Sequence, residues 1–217
     1  YVTESSGLFL NPSFGIGVDL AQTGANGPSI FPVTAPALRV KATPTLEYYL
    51  QAAVFNGTAG DPGNNHGTTV RANGHDGQLF ITEGGWTGGK SGESGYTKLA
   101  LGTWVYSKPA DHLYETVVDS SGNSTAAGAV NQGQYLLAEH SFGAVSGFLR
   151  FGTATGTVNM FDRSWATGFQ WIGPFAARSA DRFGVAWTHA LTSAPYRTMQ
   201  TNSGATTSAA EDVFETS

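Results

Sequence analysis

Short runs that alternate apolar and polar residues, separated by Gly-, Asn-, Ser- and Pro-rich connections, constrain this chain more than any other feature. In the run 46–55, Leu46, Tyr48, Leu50, Ala52 and Val54 fall on one side, with Glu47, Tyr49 and Gln51 on the other. Leu38, Val40 and Ala42 oppose Arg39 and Lys41, and Leu99, Leu101 and Val105 oppose Tyr96, Lys98, Trp104 and Tyr106. Val145, Leu149 and Phe151 oppose Phe148 and Arg150, and Phe183, Val185, Trp187 and Leu191 oppose small residues. Successive side chains of a strand point to opposite faces, so this period predicts a sheet with one apolar and one polar face. Strands are predicted over 7–16, 36–43, 46–55, 77–86, 95–106, 132–140, 145–153, 164–173, 181–192 and 209–217.

The connections between them have a rhythm of their own. Long ones (17–35, 56–76, 107–131, 154–163, 193–208) alternate with short ones (44–45, 87–94, 141–144, 174–180). An up-and-down barrel in an outer membrane produces that alternation, with tight turns at one rim and long loops at the other. A soluble small barrel would instead fill its interior with apolar side chains. No run approaches the about 18 apolar residues of a membrane helix, so this chain can cross a bilayer only through a closed barrel. Aromatics gather near strand ends (Phe9, Phe14, Phe55, Trp86, Tyr96, Tyr106, Trp165, Phe175, Phe183), as interface girdles would. Charged residues make up only 12% of the chain and the net charge is −5 without a basic cluster, which leaves no footprint for nucleic acid. The absence of cysteine removes disulfides, thiolate catalysis and Cys-ligated metal.

The stretches 8–15, 79–86, 95–106, 135–139, 147–152 and 174–184, taken in that order, resemble the carbohydrate-selective OprB-type porins. Leu8-Phe9-Leu10-Asn11-Pro12-Ser13-Phe14-Gly15 resembles that family's F-x-N-S-S-F-G segment. The stretches Leu79–Trp86, Gly95–Tyr106, Tyr135–Glu139, Gly147–Gly152 and Pro174–Gly184 are similar to later family segments. The resemblance implies an all-β, antiparallel up-and-down transmembrane β-barrel of sixteen strands. Residues 1–217 would form one segment of it, with about ten strands. It also implies a Gram-negative outer-membrane location, passive diffusion of small solutes, above all carbohydrates, and no cofactor. The partners implied are outer-membrane lipid and small sugars in transit, with room for a homo-oligomer. Tyr1 follows no leader segment and Ser217 stops within a strand-like run, so both ends are expected to be truncations of a longer chain.

A sugar pathway needs aromatic faces for pyranose rings and paired polar groups that replace water around hydroxyls. The charged and stacking residues within strands are Arg39, Glu47, Glu83, Trp104, Glu139 and Arg150, which are expected to line the pore and to gather at its narrowest part. Glu83 and Glu139 interrupt apolar strands and would be costly against lipid, so they are expected to point inward. Two carboxylates also admit a glycosidase, but no nucleophile elbow, Ser-His-Asp order or phosphate loop is present, and a non-enzyme is expected. His66, His75, His112, His140 and His189 lack zinc-site spacing. Asp61-Pro62-Gly63-Asn64-Asn65 lacks the alternating ligands and terminal Glu of a calcium loop. The alternative reading is a soluble β-rich carbohydrate-binding module.

Overall fold

A computed structural model describes residues 2–63, 75 and 77–217; Asn64, Asn65 and His66 lie outside the described residues. Nine strands form one antiparallel sheet in the order β1-β2-β3-β4-β7-β8-β9-β10-β11. They are β1 (Ala37–Ala42), β2 (Tyr48–Asn56), β3 (Gln78–Gly88), β4 (Thr97–Tyr106), β7 (Gln132–Phe142), β8 (Val145–Thr153), β9 (Phe161–Ile172), β10 (Arg182–Thr192) and β11 (Ala210–Thr216). Each pairs with its sequence neighbour, except that β4 pairs with β7 across a separate hairpin of β5 (Ala110–Val118) and β6 (Ser124–Ala129). β1 and β11 are the two edges of the sheet, and among the described residues they do not pair with each other.

The connections 43–47, 89–96, 143–144 and 173–181 lie at one end of the sheet, and 107–131, 154–160, 193–209 and the described residues between β2 and β3 at the other. The rhythm is less even than the sequence suggests, because 154–160 is no longer than the turn 173–181. Two long connections carry structure of their own. In 107–131, the β-branched run around Val117, Val118 and Thr125 forms the β5–β6 hairpin, closed by the Asp119 carboxylate accepting from Ser121 N and Asn123 N. In 193–209, Ser193 caps helix α3 (Ala194–Asn202), its hydroxyl accepting from Tyr196 N, with Pro in the first turn.

Registers across the sheet place Leu38 opposite Val54, Val54 opposite Phe80, Leu101 opposite Leu136, and Val185 opposite Phe169 on one face. That outer face is apolar and open: Leu38 is 67% exposed and Leu101 63%, with Leu50, Leu149 and Phe214 alongside. Leucines left this bare over a whole sheet face call for an apolar surrounding. His189 and Asp212 form a polar pair on this face, joined at 2.8 Å beside Trp165 and Trp187 near the long-connection end. Trp86, Trp165 and Phe183 belong to this outer face, whereas Phe9, Phe14, Tyr96 and Tyr106 are buried and form no girdle.

The largest departure from expectation is 7–16. It forms no strand. A 3-10 turn (Ser5–Leu8) leads to helix α1 (Pro12–Gly15) and helix α2 (Val18–Ala21), and the whole segment lies as a strap across the inner face. Asn11 begins α1 because its side chain accepts from Ser13 N and Pro12 supplies a preset φ at the first helical position. Phe9 and Phe14 of the strap pack with Phe148, Ala166 and Ala186 of the sheet; Leu20 joins a second cluster with Trp104, Tyr106, Tyr135 and Leu137.

Candidate functional site

The inner face holds two kinds of polar site. Toward the β1 edge it is open. Arg39 and Lys41 of β1, Tyr49 and Gln51 of β2, Glu83 of β3 and Lys98 of β4, with Glu47 ahead of β2, surround a recess of about 390 Å³. Lys41 Nζ sits 4.8 Å above the Tyr49 ring centroid, a cation over an aromatic face. Glu83 is the floor of this recess: its carboxylate accepts from Tyr49 Oη at 2.7 Å, Tyr135 Oη at 2.8 Å and Gln51 Nε2 at 2.9 Å. Glu47 stands at the rim, accepting from Trp86 Nε1 at 3.3 Å.

The rings are sunk into the wall. Tyr49 lies over Gly85, Tyr135 over Gly102 and Trp104 over Gly133, each on the strand next door, where a Cβ would collide with the ring. Trp104 is fully buried, edge-on to Tyr106, and presents no face to the recess.

Toward β7–β11 the inner face is covered by the strap, and its charges are spent on strap backbone. Glu139, 3% exposed, accepts from Glu4 N at 2.9 Å, Ser5 N at 2.6 Å and the Ser5 hydroxyl. Arg150, 1% exposed, donates from Nη1 to the Phe14 carbonyl at 3.1 Å and from Nη2 to the Gly15 carbonyl at 2.7 Å. Glu215 accepts from Leu10 N and Asn11 N at 2.6 and 2.9 Å. A buried charge is tolerable when such charge-assisted bonds replace its water. Lys98 belongs to both regions, because it lines the recess while donating to the Val2 carbonyl at 2.6 Å.

The six residues singled out from sequence therefore share one face without forming one ring. Arg39, Glu47 and Glu83 line the recess, Trp104 is a core wedge, and Glu139 and Arg150 anchor the strap. Sequence reasoning gave no role to Tyr135 or Glu215. Their positions on the inner face follow from strand parity once the register is fixed, but Tyr135 serves Glu83 from two strands away, and the backbone groups that Glu215 serves come from a segment expected to be a strand. Among the described residues no three His, Asp or Glu side chains gather to hold a metal.

The family model for "carbohydrate-selective porin, OprB family" matches residues 1–217. The chain belongs to that family. Membership makes it an outer-membrane protein of Gram-negative bacteria. Among solved structures, the chain is similar to the high-pH structure of Pseudomonas putida OprB, at 21% identity and a TM-score of 0.70. The match covers 86% of this chain and 50% of the other, so the chain spans about half the length of that porin. No match was found among the curated proteins. The OprB-family fold accounts for an apolar outer face backed by a polar, strap-covered inner one.

Proposed function

We propose that this chain forms part of the wall of an outer-membrane channel through which small carbohydrates diffuse passively. The observation that carries this reading is the recess of Arg39, Lys41, Glu47, Gln51, Glu83 and Lys98, a mixed-charge, amide-bearing surface on the face opposite the bare leucines. Both signs of charge side by side can exchange hydrogen bonds with a neutral polyol, Arg through its forked donors and the carboxylates as acceptors. Binding stays weak because the wall is open on one side, as a channel that must release its solute requires. The outer face contacts lipid, and the edges β1 and β11 pair with further strands, since free sheet edges are not tolerated in a bilayer. Nothing in this reading calls for bond cleavage: Glu83 is engaged by two tyrosines and a glutamine, and Glu139 by backbone.

The test is reconstitution of the full-length protein with the double substitution Arg39→Ala/Lys41→Ala. Three cations and two carboxylates line the recess, so removing two cations should move the reversal potential toward cation selectivity and change the rate of sugar-driven liposome swelling. Unchanged selectivity together with unchanged swelling would place the solute path elsewhere.

A further inference from the structure

A second polar cavity, of about 360 Å³, sits at the long-connection end, away from the recess on β1–β4. Five separate segments converge on it: Gln22, Gly24 and Ala25 after the strap, Gly57 and Thr58 after β2, Tyr106 to Asp111 after β4, Asn131 before β7, and Val158 and Asn159 before β9. Its volume is within the range of small-ligand sites, about 300–1,000 Å³. Its floor is built of buried amides: Asn131 is 3% exposed and Asn159 4%. Asn159 Nδ2 donates to Asn131 Oδ1 at 2.8 Å and to the Thr155 carbonyl at 2.9 Å, which fixes both side chains. That arrangement leaves the Asn131 amide donors and the Asn159 amide acceptor without a hydrogen bond among the described residues, on adjacent groups of one wall. Above them, Lys108 and Asp111 bring one charge of each sign, and neither makes an ion pair within the described residues.

Backbone geometry keeps the cavity open. Gly24 has φ +82, and a Cβ there would stand 2.7 Å from the Tyr106 hydroxyl, which in turn contacts Thr23 Oγ1 at 3.2 Å. Glycines at 24 and 57 thus let the backbone itself form two sides of the space.

From this we infer that the cavity is a docking site for a neutral polyol, one or two pyranose rings in size, at the long-loop mouth. Donors and acceptors are balanced, the summed charge of Lys108 and Asp111 is zero, and an apolar ligand would leave the free amide groups unpaired. The inference rests on the channel reading above, and it adds a capture site before the open recess.

The full-length protein in planar bilayers, with glucose or maltose added to one side at a time, tests it. Sugar added from the long-loop side should raise current noise in a saturable way. Asn131→Ala should raise the half-saturating sugar concentration about tenfold, the loss of about one or two hydrogen bonds, with the salt conductance unchanged. Lys108→Ala/Asp111→Ala, a pair with exposed side chains and no fold role, gives the same readout if Asn131→Ala disturbs assembly. Equal half-saturation in wild type and in the Lys108/Asp111 variant, with normal conductance, would overturn the docking site and leave the channel reading intact. Absence of any salt conductance in wild type would overturn the channel reading, and the docking site with it.

Discussion

The inner face of the sheet behaves as two regions with the same chemistry and opposite uses of it. Over β7–β11, Glu139, Arg150 and Glu215 meet the backbone of the strap, and Glu139 and Arg150 are withdrawn from solvent. Over β1–β4, Arg39, Lys41 and Glu47 meet an open recess, and only Glu83 is held from several sides. A charged side chain on a barrel's inner face is therefore a structural element or a solute contact according to whether a chain segment covers it. The division predicts that substitutions in the covered region change the bore and the stability together, while those in the open region change selectivity alone.

The largest effect should come from Arg150→Ala. It removes the charge-assisted bonds to the Ser13, Phe14 and Gly15 carbonyls of the strap, on the order of 3 kcal/mol. The strap should loosen, seen as protease cleavage within residues 2–21, a lower heat-modification temperature and a larger single-channel conductance. A variant with wild-type conductance and an uncut strap would erase the distinction between the two regions. Gly102→Ala should act at their border. Its Cβ would meet the Tyr135 ring and push the hydroxyl away from Glu83, at about 1–3 kcal/mol for overpacking. Lower thermal stability with a shift in ion selectivity is the expected result, and a normal melting profile would show that the ring can yield freely. The smallest effect belongs outside both regions. The backbone N–H of Asn123 holds the Asp119 carboxyl below its usual range, with Ser121 and Gly122 adding to it. A lowered folded-state value means the turn is stabilised above the ordinary carboxylate range and loses that contribution as pH falls through the folded-state value. Acid should therefore loosen the β5–β6 hairpin in hydrogen exchange, and Asp119→Ala should abolish that pH dependence without altering conductance.

Strand positions and facing were legible because period two is a local property: β2 and β4 each state in about ten residues which side is apolar and open. Residues 7–16 misled for a physical reason. Phe9 and Phe14 supply the apolar content of a strand, but Asn11-Pro12 starts a helix, and only tertiary contact with Phe148 decides where the rings go. The same contact decides the fate of Arg150. Parity put it on the inner face, but no pattern within β8 could show that the carbonyls of Phe14 and Gly15 would reach it from more than a hundred residues away. Trp104 is a comparable case, since a ring beside a glycine on the next strand can be recessed, and pairing is not visible within one strand.

The rings sunk over Gly85, Gly102 and Gly133 have a consequence for traffic along the wall. Large side chains usually project and roughen a surface, but here the bulk of Tyr49, Tyr135 and Trp104 is countersunk into the sheet. Beside the recess a passing solute would meet a flush surface in which the Tyr49 oxygen, already turned toward Glu83, is inlaid at backbone level, while Tyr135 and Trp104 lie deeper, beneath Leu20 of the strap. Clearance along β2–β7 is then set by the curvature of the sheet, and lengthening a ring-bearing residue would change friction less than filling a single glycine.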